Sequence, residues 1–335
     1  MKNINGRDWI PVRKSNLKYY DDINLYYLPK KSQNVLLYKA AGLKFTEQYL
    51  ADNPFAGSLY IQPEDKEKCL REAQRGFSME LTHNILNEGA GKVKAGLVNI
   101  VGESLSDPRA GGLGVMEQTV EVVVDGYASQ PEIIKNLARI SHSDYTTTIH
   151  SINVMALTVG YCFYTQKDIG TTVRYGLAAL FHDIGKTEIP IEILSAPRKL
   201  TDYEFQVIQS HPQLGAEILQ ANDSSVHTAI PGALEHHEKV DGSGYPVNLK
   251  TISEIGQILA VVDSYEALTN DDRLYRSALE PIDALEILKK EVTSRRLNPD
   301  IFVDFAYSLT DFTKESGKDR YRKIFQGWDV TKHAV

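Results

Sequence analysis

The nine histidines of this 335-residue chain are spread unevenly. Five of them, His150, His182, His211, His236 and His237, lie on or beside segments with helical periodicity. Asp183 follows His182 directly, and Asp263 stands in VVDSYEAL. Roughly 25 to 30 residues separate successive members, the length of one helix and its return. At that spacing each helix of a bundle can bring one or two ligands to a common point. The His182–Asp183 pair sits in the apolar run ALFHDIG, where an imidazole and a carboxylate need partners or a metal to offset desolvation. His236–His237, followed by Glu238 and Asp241, repeats the problem. Seven N and O donors without a cysteine suit Fe, Mn, Zn or Ni better than a thiolate site. Seven are too many for one ion and enough for two, with one carboxylate bridging. A lone helical histidine is more often a core or surface residue than a ligand, and His83, His142, His227 and His333 are read that way.

Two ions about 3.5–4 Å apart are a known device for hydrolysing phosphate esters. Lys186 follows His182 at i+4, on the same face if the helix continues. A cation there steadies a phosphate or protonates a leaving alkoxide.

The elements that must position these groups are helical. Beyond Met116 the periodicity predicts helices over 116–128, 131–141, 147–164, 171–183, 202–219, 226–238, 253–270, 281–294 and 300–312. The first 65 residues differ. NLYYL (24–28), VLLY (35–38) and SLYI (58–61) read as short strands, the first pair a hairpin. PEDKEKCLREA from Pro63 opens a helix. SDPRAGGLG (106–114) is a loop or break. The fold class is therefore mainly α, an all-α C-terminal bundle behind a small α/β N-terminal piece. The domains expected are 1–130, short strands with connector helices, and 131–335, the helical domain. The N-terminal piece carries no ligand constellation. It is left with regulation, dimerisation or docking of a signalling partner.

Composition bounds the rest. With 42% hydrophobic and 24% charged residues the chain is an ordinary globular sequence, not a disordered or collagen-like one. A net charge of −7, with no Lys/Arg run of five, argues against non-specific nucleic-acid binding. Apolar stretches such as Ile255–Val262 fall short of the roughly 18 residues a membrane span needs. The start, MKNINGRDWI, has no apolar signal core, and two cysteines outside any CxxC pair make no disulfide framework. A cytoplasmic location is expected.

FHDIGK (181–186), IPIEIL (189–194), LTDYEFQVIQSHPQLGAEIL (200–219), EHHEKVDGSGYP (235–246) and AVVDSYEALTNDDRLYR (260–276) together resemble the HD-GYP family, over about residues 140–310. These are bacterial phosphodiesterases that hydrolyse cyclic di-GMP to pGpG or GMP. The resemblance implies an HD-type bundle holding two divalent ions, iron first, with manganese, zinc or nickel as alternatives. It implies metal ligands at His150, His182, Asp183, His211, His236, His237 and Asp263, with Asp183 bridging. It implies Lys186 beside the scissile phosphate, with Asp183 and Tyr245 as further catalytic groups. Gly244, Tyr245 and Pro246 would form the loop that names the family. Gly244 would permit an unusual backbone angle there, and Pro246 would stiffen the turn. Arg273 and Arg276 would bind phosphate and guanine. Two departures stand out. Some members hold a third metal on a Glu four residues before the first His, where this chain has Thr146. NDDRLYR replaces the usual DRPYR, with one extra residue and Leu274 for Pro. The alternatives are a catalytically weak or inactive module that binds cyclic di-GMP or a partner protein, and a phosphohydrolase acting on another cyclic dinucleotide.

Overall fold

The computed structural model describes residues 2–4, 7–12, 14–29, 34–53, 55, 57–106, 108–110, 113–140, 146–270 and 278–309. The chain divides into two compact units, residues 1–83 and 84–335.

The first unit is a five-stranded antiparallel sheet in the order β1-β2-β5-β3-β4. The strands are β1 (Lys2–Ile4), β2 (Arg7–Val12), β3 (Leu25–Tyr27), β4 (Leu36–Lys39) and β5 (Leu59–Ile61). The last three fall where the sequence puts them, and β3 and β4 pair directly. β1 and β2 escape sequence reading because Arg7, Asp8 and Pro11 interrupt the strand pattern. Pro11 is tolerated because β1 pairs only with residues 7–9 of β2, so no ladder bond on that side is lost at Pro11. The short helix α1 (Glu47–Asp52) follows β4. Ile23, Leu25 and Leu59 are fully enclosed in the core, with Leu17, Tyr20 and Ile61 around them. α2 (Lys66–Asn87) leads the chain out of this unit.

The second unit is all helix among the described residues: α3 (Ala90–Ser106), α4 (Val115–Ser129), α5 (Pro131–Lys135), α6 (Thr147–Tyr164), α7 (Ile169–Phe181), α8 (Ile191–Leu194), α9 (Asp202–Ile208), α10 (His211–Gln220), α11 (Ile230–Glu235), α12 (Glu254–Thr269), α13 (Pro281–Thr293) and α14 (Pro299–Ser308). α6 is apolar around most of its circumference and is therefore buried. It packs against α3, α4, α7, α12 and α14. Thr146 caps it, accepting from the Ile149 N–H, so this position serves helix initiation. Asp168, Thr201 and Ser253 cap α7, α9 and α12 in the same way, each worth about 1 kcal/mol.

Four helices end or break earlier than their periodicity suggests, and the one expected over 131–141 is α5 followed by a 3-10 segment, Asn136–Arg139. α7 stops at Phe181 and the chain continues through a 3-10 turn over Ile184–Glu188. The helix expected over 202–219 splits at Gln209–Ser210, and Pro212 occupies the first turn of α10. The helix expected over 226–238 is a 3-10 segment, Ser224–Ala229, followed by α11, which leaves His236 at the C-cap. The last three breaks fall beside His182, His211 and His236 and turn their side chains inward.

α3 and α4 belong to the second unit. They pack on α6 and α7, burying Val93, Leu97, Val101, Val120, Val123 and Val124. Exposing six such residues at about 1.5–3 kcal/mol each exceeds a domain's usual 5–15 kcal/mol of stability at the upper end. A chain lacking 1–130 should therefore be unfolded by circular dichroism. One lacking 1–83 should remain folded and melt cooperatively. A stably folded 131–335 fragment would refute this.

No helix among the described residues is long and apolar enough to cross a membrane.

Candidate metal centre

Five elements converge on one buried point. α6 brings His150. The end of α7 brings His182 and Asp183, and the first turn of α10 brings His211. The end of α11 brings His236 and His237, and α12 brings Asp263. His150, His182, Asp183, His211 and His236 are all at most 4% exposed. Asp183 is flanked on both sides. Its Oδ2 lies 3.4 Å from His150 Nε2 and 3.5 Å from His182 Nε2. Its Oδ1 lies 3.3 Å from His211 Nε2 and 3.7 Å from His236 Nε2. Asp263 Oδ1 joins the first side, 3.0 Å from His150 Nε2 and 3.8 Å from His182 Nε2. His237 joins the second, its ring 4.1 Å from that of His236 and 5.0 Å from that of His211. Two groups result that could each hold an ion, His150–His182–Asp183 and His211–His236–His237.

The tautomers decide whether a cation fits. His182 Nδ1 donates to Ala179 O at 2.7 Å and His211 Nδ1 to Ile208 O at 2.7 Å. His236 Nδ1 donates to Ala233 O at 3.0 Å. A neutral imidazole with its proton on Nδ1 presents a lone pair at Nε2. Yet His211 Nε2 lies 3.1 Å from His236 Nε2, and His150 Nε2 lies 3.1 Å from His182 Nε2. Asp183 Oδ1 is buried and has no hydrogen-bond partner. Lone pairs aimed at one another across 3–4 Å in a dry site repel unless positive charge lies between them, so the residues present fit a pair of cations.

The electrostatics agree at Asp183, Asp263, His236 and His237; at His150 burial lowers the imidazole, and Glu266 and Asp263 outweigh it and raise it to about 10. Burial opposes ionisation of Asp183, but Lys186 and His182, with His211 and His236, outweigh it and hold the carboxyl well below its usual range. Burial likewise opposes ionisation of Asp263, and His150 and His182 overcome it. Burial pulls His236 down to about 4 and His237 well below its ordinary value, the form in which imidazole ligates.

Lys186 reaches the site by a different route from the one the sequence suggests. The helix does not continue past Phe181. The 3-10 turn carries Lys186 Nζ to within 2.5 Å of Asp183 Oδ2. Gly185 makes that turn fit, because a Cβ there would lie 2.0 Å from His211 O and 2.5 Å from Gly215 N. Gly185→Ala should push α10 away from the turn and displace His211, at a cost of about 3 kcal/mol or more. A thermal melt within a degree or two of wild type would show that the backbone yields there.

The loop after His237 is held by Glu238, which the sequence sets beside the histidine pair without giving it a role. Glu238 is buried, and its two oxygens accept from Val247 N at 2.8 Å and Leu249 N at 3.0 Å. This clamp places the Tyr245 ring in a stack on His237, centroids 4.6 Å apart. Burial, aided by Asp263, raises the Tyr245 phenol, so it stays a donor. Pro246 follows it in the loop through a cis peptide bond. Gly244 does not serve a special backbone angle; Gly242, at φ 77°, does. A Cβ at Gly244 would lie 2.4 Å from Glu238 Cα and from Lys239 N, so its role is close approach. Glu266 was passed over in the sequence. It accepts from His150 Nδ1 at 2.6 Å. Its signal is spacing, one helical turn after Asp263.

Arg273, Leu274 and Arg276 lie outside the described residues. So do His142 and His333. His227 hydrogen-bonds Asn222 O at 3.3 Å, away from the centre, and His83 is exposed on α2.

Residues 128–301 match the HD domain family. A Thermotoga maritima protein named cyclic di-GMP phosphodiesterase is 34% identical over 309 residues, covering 85% of this chain and 81% of that protein. The chain belongs to the HD domain family, within its HD-GYP group. A Pseudomonas aeruginosa protein named cyclic di-GMP phosphodiesterase is 34% identical over 181 residues, 53% of this chain and 43% of that protein. A Vibrio cholerae protein named 3'3'-cGAMP-specific phosphodiesterase 1 is 36% identical over 148 residues, 42% of this chain and 34% of that protein. The chain thus spans less than half the length of these last two relatives. Among solved structures, Bd1817, an HDG"Y"P protein from Bdellovibrio bacteriovorus, superposes with a TM-score of 0.57 at 19% identity, covering 89% of this chain and 98% of that one. That likeness concerns the fold.

Proposed function

We propose that this chain is a two-metal phosphodiesterase that hydrolyses cyclic di-GMP. The observation that carries the reading is the single carboxylate of Asp183 with one histidine pair on each oxygen. His150, His182, Asp263 and Asp183 Oδ2 would hold one ion. His211, His236, His237 and Asp183 Oδ1 would hold the other. Bound there, two divalent ions neutralise a phosphodiester and lower the pKa of water to near neutrality. The donor set, all imidazole and carboxylate, suits iron or manganese. Thr146 is engaged as a helix cap and brings no carboxylate, which supports two ions over three.

The chain's own groups do the rest. Lys186 stands at the solvent edge of the carboxylate, about a quarter exposed, where its ammonium can meet a phosphate oxygen. The phenol of Tyr245 can donate to the substrate from the loop on the other side, held by its stack on His237. Arg273 and Arg276 would bind phosphate and base, a task suited to a planar bidentate cation. Residues 1–83 would regulate the activity or dock a partner.

The relatives named as 3'3'-cGAMP-specific phosphodiesterases are as similar as several of those named for cyclic di-GMP. They support a second reading, in which the same centre cleaves a mixed cyclic dinucleotide. Turnover of cyclic di-GMP and of 3'3'-cGAMP by the metal-loaded chain separates the two. A linear dinucleotide or GMP from the first substrate is expected. Binding without cleavage of either would overturn the enzymatic reading.

A further inference from the structure

His182, His211 and His236 each turn Nδ1 to a backbone carbonyl, a neutral and weak acceptor. Among these four histidines His150 alone turns it to a carboxylate, Glu266 Oε2, at 2.6 Å. That carboxylate is itself clamped. Glu266 Oε1 accepts from Asn153 Nδ2 at 2.7 Å and from Asn270 Nδ2 at 2.6 Å. Glu266 is 2% exposed and Asn153 is fully buried. Asn153 lies one turn after His150 on α6, and Glu266 and Asn270 lie a turn apart at the end of α12. The three side chains therefore tie the two helices together at the back of one ligand. Such a buried arrangement cannot rotate freely, so it fixes both the His150 tautomer and the direction of Nε2. A carboxylate behind an imidazole also raises its basicity as a ligand. Among the described residues no comparable carboxylate stands behind His182, His211 or His236, so the two ends of the centre are unequal.

We propose that Glu266 is a positioning residue for His150 and sets the affinity of the ion at the His150–His182–Asp263 end, leaving the other end unaffected. This rests on the two-metal reading above. The obvious objection is that Glu266 only packs α12 against α6. Glu266→Gln answers it, because Gln keeps the volume and its one oxygen can still accept from His150 Nδ1, while the charge and the acceptor facing Asn153 and Asn270 are lost.

The test is titration of chelator-stripped, full-length protein with Co²⁺ alone, read by calorimetry and by the visible absorption of the bound ion. Wild type should take two ions. Glu266→Gln should bind one ion as wild type does and the other about 10–100-fold more weakly, the range measured when a group behind a ligand is changed. The absorption of only one ion should move. Asn153→Ala leaves the carboxylate and removes one clamp, and should weaken the same ion by a smaller factor. It also serves if Glu266→Gln does not fold by circular dichroism. Two ions bound by Glu266→Gln with wild-type affinity and spectrum would overturn the inference and leave the two-metal reading standing. Equal weakening of both ions would overturn it too. A folded wild type that takes up no Co²⁺ would overturn the two-metal reading and this inference with it.

Discussion

Asp183→Ala should purify folded but with fewer than one metal ion per chain, whereas wild type should carry two. Each oxygen of this carboxylate faces a different histidine pair, at 3.3–3.7 Å. Removing it takes a donor from both ends at once. It also removes the negative charge between them, and two dications a few ångströms apart repel unless an anion lies between. The His211–His236–His237 end is left with neutral imidazoles alone. The His150 end keeps Asp263. Turnover should therefore fall by more than the ~10–100-fold that follows loss of a residue behind a ligand. Asp183→Asn sharpens the result, since it keeps the shape and loses the charge, and should also fail to retain both ions. The fold should survive, because the Lys186 ammonium left unpaired lies at the solvent edge and the apolar packing of the bundle is untouched. Elemental analysis with a circular dichroism melt checks both halves. Two ions retained in Asp183→Ala would show that the carboxylate does not bridge.

The bundle was legible in the sequence because its central helices carry long apolar runs with clear caps. α6 spans 147–164 in both the reading and the structure, since Thr146 stops it sharply at one end. The ligand cluster was legible for a related reason. Histidines and aspartates inside apolar runs have no cheap alternative to meeting one another. What periodicity could not show is where a helix stops short. α7 ends at Phe181 and α9 at Ile208 because the chain must turn His182 and His211 inward, and an apolar period has no term for that. Pro212 was the available signal for the second break. β1 and β2 were hidden by Pro11 and by the charges of Arg7 and Asp8. Glu266 and the clamping role of Glu238 were hidden because a single acidic residue in a sequence looks solvated. Their partners are main-chain N–H groups and side chains that only folding brings near. Gly244 was misread for the opposite reason, a backbone angle being the commonest use of glycine and close packing the one found here.

Lys186→Ala should lower kcat by about 10²-fold and leave KM nearly unchanged. The 3-10 turn holds Lys186 Nζ 2.5 Å from Asp183 Oδ2, with the side chain about a quarter exposed. The ammonium thus lies between the buried carboxylate and solvent, on the side from which a phosphodiester must come. Its attraction to a phosphate oxygen grows as charge builds on the leaving oxygen, so it is felt mostly in the transition state. A contact of that kind lowers kcat and kcat/KM together. One confounding effect must be separated. Lys186 also helps hold Asp183 ionised, so its loss could act by releasing metal. Elemental analysis of Lys186→Ala decides this, and two retained ions with depressed kcat are expected. Lys186→Arg restores the charge with a different reach and should recover part of the rate. By contrast, Arg273→Ala and Arg276→Ala should raise KM and spare kcat, because the contacts to phosphate and base proposed for them would exist before reaction. If Lys186→Ala instead abolishes binding while the arginine changes touch only kcat, the roles are reversed. If none of the three alters binding or turnover, the extra residue in NDDRLYR has moved the substrate away from this edge of the centre.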